Sequence, residues 1–238
     1  MTLRFAMWSG PRNLSTAMMR AWENRPDTRV IDEPFYACYL RASGSDHPMR
    51  DEVLASQSDD WSLVADALSQ AEVAEYLYYQ KHMTHHMLEG VDLSWTRKLR
   101  HCFLIRDPHY VVASYGEKRS TISEADIGAH RQLDLYREIS DLTGQDIPVL
   151  DARLFLMDPE PALRRLCARL EIPFYREMLQ WPAGRRDSDG VWAPHWYQAV
   201  EASTGFQPYE EKSIRLDPTQ AQVAAAAMPA YEALLART

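Results

Sequence analysis

The sequence predicts an α/β protein in which a central parallel β-sheet is flanked by helices. Short apolar runs alternate with amphipathic segments along most of the chain, and this alternation is typical of a parallel sheet covered on both faces. Each apolar run is followed by a turn signal or a polar break, which marks the end of a strand. The predicted strands are Leu3–Trp8, Arg29–Asp32, Glu75–Gln80, His101–Ile105 and Val149–Arg153.

Helices are predicted between these strands and after the last one. The final amphipathic segment begins after an Asp-Pro cap signal and repeats its apolar residues on one helical stripe. The predicted helices are Ser15–Glu23, Trp61–Ala71, Tyr110–Lys118, Ala125–Leu142 and Pro161–Leu170.

The last quarter of the chain has a different character. Residues 180–209 are rich in Trp, Pro, Gly and Arg without a clear period, which predicts a long ordered loop of the kind that is often functional. The tail "DPTQAQVAAAAMPAYEALLART" predicts an alanine-rich helix with a bend near Pro229. No repeat or linker divides the sequence, so we expect residues 1–238 to form a single domain with this loop and a C-terminal helix.

The composition restricts the possible functions. The formal net charge is −8, which argues against a general nucleic-acid binder. The three cysteines are too few and too scattered for a disulfide framework or a zinc site. No signal peptide and no apolar run of about 18 residues is visible. We therefore expect a cytoplasmic protein that does not associate with membranes and is a monomer or a homodimer.

The stretch "SGPRNLST" follows the first predicted strand and precedes the first helix. It places Gly10 at the turn, Arg12 in the loop, and Asn13 or Ser15 at the helix cap. Backbone N–H groups at a helix N-terminus bind anions, and a guanidinium adds a charged fork for two anionic oxygens. The ATP-type loop G-x-x-x-x-G-K-[ST] is not matched, because Ser15 and Thr16 stand where that motif has Gly and Lys. An anion site and an ordinary capped helix both fit this stretch.

A second candidate anion site lies in "FLIRDPHYVVAS". Arg106 follows an apolar run, Pro108 opens a helix, and Ser114 comes two turns later. If Arg106 lies at the carboxyl end of its strand, it can converge with Ser114 on one anion above the sheet. The alternative is that Arg106 pairs with Asp107 or Asp151 while Ser114 faces solvent.

"PRNLST" followed by "RDPHYVVAS" resembles the two phosphate-binding motifs of the PAPS-dependent sulfotransferase family. "LDARLFLMDPEPALRRLCARLEIPF" is similar to another segment of that family, and "SGPRNLST" with "DEPFY" resembles its bacterial sulfotransferase-like group. The resemblance implies a P-loop NTPase-like sulfotransferase architecture. In that family the first loop holds the 5′-phosphosulfate of PAPS, and the Arg and Ser of the second motif hold the 3′-phosphate.

The resemblance assigns further residues to PAPS. The first loop would contribute Gly10, Arg12, Asn13, Leu14, Ser15 and Thr16, although the family's Ser-Gly is Asn13-Leu14 here. The segment "GRRDSDGVW" weakly resembles the family's R-K-G-x-x-G-x-W-K segment, which also touches the 3′-phosphate. Its matching positions are Arg185, Arg186 and Gly190, with Trp192 alongside.

Candidate catalytic residues lie after the second and third strands. Glu33 in "VIDEPFY" is our first candidate for the base that takes the acceptor's proton, and a carboxylate that only fixes the loop is the alternative. His82 is the rival base, and Lys81 matches a lysine of the family's K-T-H segment. Arg12 and Lys81 would supply the positive charge for sulfuryl transfer, so no metal ion is expected. A metal site at His82, His85 and His86 is disfavoured because only Glu89 could complete it.

We therefore expect an enzyme that transfers a sulfuryl group from PAPS to a hydroxyl or amine of a small molecule. Trp192, Trp196 and Tyr197 are the candidates for the acceptor pocket. One alternative is a Mg²⁺-dependent P-loop kinase or ATPase with Asp32 as metal ligand. Another is a non-catalytic module that binds PAP.

Overall fold

A parallel sheet forms the centre of the molecule. The computed structural model describes residues 2–117, 122–211 and 213–238, and in these residues the sheet has five strands in the order β2-β3-β1-β4-β5, all parallel. The predicted fold class is confirmed. The strands are β1 Leu3–Ser9, β2 Thr28–Asp32, β3 Leu77–Met83, β4 Arg100–Ile105 and β5 Val149–Asp151.

Helices connect the strands, as a parallel sheet requires. They are α1 Ser15–Glu23, α2 Tyr36–Ser43, α3 Arg50–Ser56, α4 Trp61–Gln70, α5 Pro108–Gly116, α6 Glu124–Ile127, α7 Ala129–Thr143, α8 Ala152–Met157, α9 Pro159–Arg169, α10 Ala193–Trp196, α11 Gln198–Glu201 and α12 Pro218–Leu235. Short 3₁₀ turns occupy Thr84–His86, Ser94–Lys98 and Arg176–Leu179. Among the described residues, none of the helices is both long and apolar enough to cross a membrane.

Both faces of the sheet are buried against helices. Alternate residues of a strand point to opposite faces, so Phe5 and Met7 pack with α1 and α9, whereas Ala6 and Trp8 pack with α4, α7 and α12. Each fully buried large apolar side chain contributes about 1.5–3 kcal/mol relative to exposure. This burial on two sides explains why the strands read as continuous apolar runs.

Strand boundaries differ from the prediction where polar side chains are buried. The strand predicted at Glu75–Gln80 is β3, Leu77–Met83, because Lys81 and His82 are part of the sheet and find partners inside the protein. The strand predicted at Val149–Arg153 ends at Asp151, whose carboxylate accepts from Leu154 N and caps α8. Because Asp151 is the N-cap of α8, the residues after it are helical and the strand cannot continue to Arg153.

One predicted helix and the predicted long loop also need correction. The single helix predicted at Ala125–Leu142 is two helices, α6 and α7, separated at Gly128 in the left-handed conformation. Residues 180–209 are not purely loop, because they contain α10, α11 and a bridge between Gln180 and Gly205. The predicted alanine-rich tail helix is present as α12, with Pro229 inside it. The predicted helix Tyr110–Lys118 is α5, and Lys118 lies outside the described residues.

Candidate active site

A cavity of about 330 Å³ opens at the carboxyl edge of the sheet. The loop after β1 lines one end of it, together with residues after β4, and the residues after β2 and β3 line the other. After β1 the chain goes to the edge strand β2, returns to β3 beside β1, and then continues with β4 on the opposite side of β1. Open α/β sheets bind ligands at this kind of reversal.

The first end of the cavity carries two guanidinium groups. Arg12 Nε donates a hydrogen bond to Ser114 Oγ at 3.0 Å, and the Arg106 guanidinium donates to the Arg12 carbonyl oxygen. Burial, together with the charge of Arg12, lowers the pKa of Arg106. The structure therefore brings together the three residues that the two sequence motifs single out. Two cations held side by side in a concave site favour a bound anion.

The carboxylates considered as alternative partners of Arg106 have other roles. Asp107 Oδ1 accepts from His109 N at 2.8 Å and caps α5, whereas Asp151 caps α8 and accepts from Tyr231 Oη at 3.0 Å. The Arg106 guanidinium instead contacts the loop after β1, where it donates to the Arg12 carbonyl oxygen.

The loop between β1 and α1 is held by Asn13. Its Nδ2 donates to Leu104 O at 2.9 Å, at the end of β4, and its Oδ1 accepts from Leu14 N at 2.8 Å. The Leu14 side chain packs against the core under α1. Among the described residues, no side chain caps α1, and Ser15 and Thr16 line the cavity. Asn13 and Leu14 therefore hold the loop in place, and its backbone N–H groups lie at the N-terminus of α1.

Gly10 of the first loop and three residues of the weaker segment "GRRDSDGVW" do not line the cavity. Gly10 packs near Ile127 O and does not line the cavity. Arg185 pairs with Glu201 at 3.7 Å, and the Arg186 guanidinium donates to Pro182 O. Gly190 N donates to Asp32 Oδ2 at 3.2 Å. The structure thus does not bring these four predicted PAPS contacts to the anion end of the cavity.

A buried charged cluster forms the second end of the cavity. Lys81 Nζ donates to Asp32 Oδ1 at 2.8 Å and also to Glu33 Oε1. Burial raises the pKa of Glu33, with Asp32 adding to the increase and Lys81 opposing it. Burial disfavours the charge of Lys81, but Asp32 and Glu33 outweigh it and raise the pKa of Lys81. One ammonium thus serves two carboxylates, of which Glu33 lines the cavity.

His82 lies away from this cavity. Its ring stacks on Trp8 with centroids 4.4 Å apart and contacts Phe35 and Trp95 in the core. Burial lowers the pKa of His82 to about 3. The suggested role of His82 as a base has no geometric support, because the alternation of β3 directs neighbouring Lys81 to the site and His82 to the opposite face.

His85 and His86 do line the cavity. Their ring centroids are 4.5 Å apart, and the His86 ring stacks between Tyr36 and Tyr39. Burial lowers the pKa of His85 to about 3 and that of His86 well below its usual value. Within residues 2–117, 122–211 and 213–238, no three His, Cys, Asp or Glu side chains are grouped to hold a metal ion.

Aromatic side chains form one wall of the cavity, and the Tyr197 hydroxyl of this wall lies 3.4 Å from Glu33 Oε1. Trp192, Trp196 and Tyr197 line the cavity, as the sequence predicts for the acceptor pocket. The Trp196 and Tyr115 rings are nearly parallel, with an interplanar angle of 14° and centroids 6.5 Å apart. Sequence reasoning missed several lining residues that have no motif of their own, although "DEPFY" and the 180–209 region contain two of them. These residues are Tyr36, His47, Tyr115, Leu156 and Phe206.

A sequence model described as "Sulfotransferase domain" matches residues 3–238. The chain belongs to this sulfotransferase family. Among curated proteins, branched-chain-amino-acid aminotransferase-like protein 1 of Arabidopsis thaliana is 39% identical over 199 residues. The match covers 84% of this chain but 36% of the relative, so the chain corresponds to a minor part of that protein's length.

Solved sulfotransferase structures share the fold. The sulfotransferase domain of the Synechococcus PCC 7002 olefin synthase has a TM-score of 0.59 at 17% identity, covering 95% of this chain and 94% of that one. The sulfotransferase from Alicyclobacillus acidocaldarius has a TM-score of 0.54 at 13% identity, with coverage of 100% and 97%. At these identities the similarity establishes the fold alone. It confirms the sulfotransferase architecture expected from the two phosphate-binding motifs.

Proposed function

We propose that this protein transfers a sulfuryl group from PAPS to a hydroxyl or amine of a small molecule. The observation that carries the proposal is the convergence of Arg12, Arg106 and Ser114 at one end of a cavity whose other end contains Glu33. The family membership agrees with it. A two-anion donor would bind at the first end, and an acceptor would bind in the part of the cavity that Glu33 and the aromatic wall line together.

Each residue at the donor end has a role that its chemistry suits. Arg12 and the uncapped N-terminus of α1 would hold the 5′-phosphosulfate, since both offer donors to anionic oxygens. Arg106 and Ser114 would hold the 3′-phosphate. PAPS supplies the activated sulfuryl group, and the protein supplies position and charge. Arg12 would stabilise the negative charge that grows on the departing phosphate oxygen.

Glu33 is the base in this proposal. The acceptor oxygen or nitrogen attacks sulfur and forms a new bond, while the bond from sulfur to the 5′-phosphate oxygen breaks and PAP leaves. The proton released by the acceptor passes to Glu33 Oε2, since Oε1 is occupied by Lys81. Lys81 then acts through Glu33 by keeping a cation beside the carboxylate.

A Mg²⁺-dependent kinase fits this site less well. Asp32 would be the metal ligand, yet its Oδ1 accepts from Lys81 and its Oδ2 accepts from Tyr197 Oη at 2.7 Å. Both oxygens are therefore already engaged by protein donors. A kinase reading also gives Arg106 and Ser114 no role.

Glu33→Gln tests the assignment of the base. We expect PAP to bind with unchanged affinity and turnover to fall about 10²–10⁴-fold, because the amide keeps the shape of the side chain but cannot take a proton. The measurement is transfer of labelled sulfate from PAPS to a panel of alcohols, phenols, amines and sugars, with PAP binding by calorimetry. Glu160→Gln is the matched control, since Glu160 lies at the start of α9, away from the cavity, and its partly exposed carboxylate pairs with Arg164.

Two other outcomes would reject parts of this proposal. Full activity of Glu33→Gln would remove Glu33 as the base. Tight PAP binding by the wild-type protein without a sulfated product from any acceptor would favour the non-catalytic binding module.

A further inference from the structure

We propose that Tyr197 is a positioning residue whose hydroxyl locks Asp32 and Lys81 into a fixed arrangement beside Glu33. This inference rests on the proposed role of Glu33 as the base. It assigns a function in the reaction to a residue that the sequence marks only as part of the acceptor wall.

The Tyr197 hydroxyl is the centre of a buried hydrogen-bond network. It donates to Asp32 Oδ2 at 2.7 Å and accepts from Lys81 Nζ at 2.8 Å and from Trp192 Nε1 at 3.0 Å. A phenol can accept two hydrogen bonds and has one proton to donate, and this proton lies between Asp32 Oδ2 at 2.7 Å and the more distant Glu33 Oε1 at 3.4 Å. Tyr197 is 5% exposed, and Lys81 and Trp192 are 1% and 2% exposed. A buried network in which every hydrogen-bonding group has a partner fixes the geometry of all its members.

The network joins two distant parts of the chain. Asp32 ends β2 and Lys81 lies on β3, whereas Tyr197 lies between α10 and α11 in the aromatic region. Gly190 N donates to the same Asp32 oxygen that accepts from Tyr197. The segment that forms the aromatic wall thus also hydrogen-bonds to the carboxylate of Asp32, the residue next to Glu33. The position of the aromatic wall and the ionisation of Glu33 therefore depend on the same set of hydrogen bonds.

Four groups face the Glu33 carboxylate, and their effects on it differ in sign. Asp32 precedes Glu33 at the end of β2, Lys81 lies on β3, and Tyr197 belongs to the aromatic region. His86 lies in the 3₁₀ turn Thr84–His86, with its Nε2 3.9 Å from Glu33 Oε2. Burial raises the pKa of Glu33, and Asp32 raises it further, whereas Lys81 and the Tyr197 hydroxyl lower it. Removing Tyr197 Oη should therefore raise the pKa of Glu33, whereas removing the Asp32 charge should lower it.

The test compares Tyr197→Phe with Asp32→Asn in the full chain. In Tyr197→Phe, Glu33 loses a nearby donor, and we expect its ionisation and the acid limb of kcat/KM to move to higher pH. In Asp32→Asn, a neighbouring negative charge is removed and Lys81 is left to Glu33 alone. We expect the same two midpoints to move to lower pH.

Two readouts follow the shift independently. The ¹³C carboxyl resonance of Glu33, assigned by its absence in Glu33→Gln, reports ionisation without turnover. The pH profile of kcat/KM reports it through the reaction. Tyr197→Phe should also lower kcat about tenfold, as expected for loss of a hydrogen bond to charged groups, while the KM for PAPS is unchanged.

The matched control is Tyr231→Phe. Tyr231 Oη also donates to a carboxylate, Asp151, at 3.0 Å, but neither residue lines the cavity. This variant should leave the Glu33 resonance and the pH profile unchanged.

The proposal is overturned if Tyr197→Phe leaves the Glu33 midpoint unchanged, or if both variants shift it in the same direction. Should Tyr197→Phe not fold, the Asp32→Asn resonance decides: an unchanged or raised midpoint rejects the network. If the wild-type protein has no turnover, the proposed function fails, while the resonance still tests the coupling of Tyr197 to Glu33.

Discussion

Two residues of the site have backbone conformations that few side chains adopt. Arg12 has φ of 53° and Glu33 has φ of 42°, both in the left-handed region. Such a residue costs about 1–2 kcal/mol, so surrounding contacts must hold it. Arg106 donates to the Arg12 carbonyl, and Gln57 Nε2 donates to the Glu33 carbonyl at 3.1 Å. The strain thus coincides with the two side chains that we place at opposite ends of the cavity.

Buried neutral histidines make the protein sensitive to acid. The folded-state pKa of His82 is lowered to about 3 by burial, below its usual 6.5. Between these values the unfolded chain binds more protons than the folded one, so stability falls as the pH drops below about 6.5. His82→Gln should reduce this loss by about 1.4 kcal/mol per pH unit.

The measurement is the free energy of unfolding in urea at pH 7, 6 and 5. Met87→Leu is the control, since Met87 is equally buried in the same core cluster but does not titrate. It should keep the wild-type pH slope. An unchanged slope in His82→Gln would show that His82 is already charged or exposed in the folded state.

At the scale of elements, Gly128 decides where one predicted helix becomes two. Its φ is +67°, and a Cβ added there would lie 3.2 Å from His85 Cβ. Gly128→Ala should therefore cost at least about 2 kcal/mol of unfolding free energy, from the left-handed conformation and the contact together. The added methyl group would also push against His85, which lines the cavity.

Gly144 provides the comparison, because its φ is +66° with no atom within 4 Å of an added Cβ. Gly144→Ala should cost only the conformational term, about 1 kcal/mol. Equal losses for the two variants in urea unfolding would show that the contact with His85 has no energetic effect.

The elements that the sequence predicts well are those with a clear apolar period. The helix Ser15–Glu23 is found within its predicted bounds, and β1 and β4 differ by a residue at one end. β3 was misplaced because Lys81 and His82 look like a strand end until their buried partners are known. A left-handed Gly128 inside an amphipathic pattern is equally hard to recognise.

The site divides in the same way. Arg12, Arg106 and Ser114 carry motif spacing, so the sequence is enough to place them together. Tyr197 carries none, because its partners Asp32 and Lys81 are 165 and 116 residues away along the chain. Contacts of this kind depend on how α10 and α11 pack at the edge of the sheet. A local sequence pattern does not predict that packing.

At the scale of the whole molecule, the fold assembles the cavity from segments far apart in sequence. β1 and β4 bring two cationic loops to one end, and β2 and β3 bring the charged cluster to the other. The chain has a net charge of −8, so the paired guanidiniums are a local exception to an acidic protein. This separation of charge suits a strongly anionic donor at one end and an acceptor at the other.

The central claim is that this cavity binds a nucleotide through two separate anions without a metal ion. The direct measurement is calorimetric titration of PAP and of AMP, which lacks the 3′-phosphate, into wild-type and Arg106→Ala protein in EDTA. Arg164→Ala is the control, because the Arg164 side chain is exposed on the outer side of α9 and does not line the cavity. We expect the wild type to prefer PAP by about 10–100-fold, as for loss of a hydrogen bond between charged groups. Arg106→Ala should abolish that preference. Equal binding of PAP and AMP by the wild type, or an intact preference in Arg106→Ala, would contradict the account.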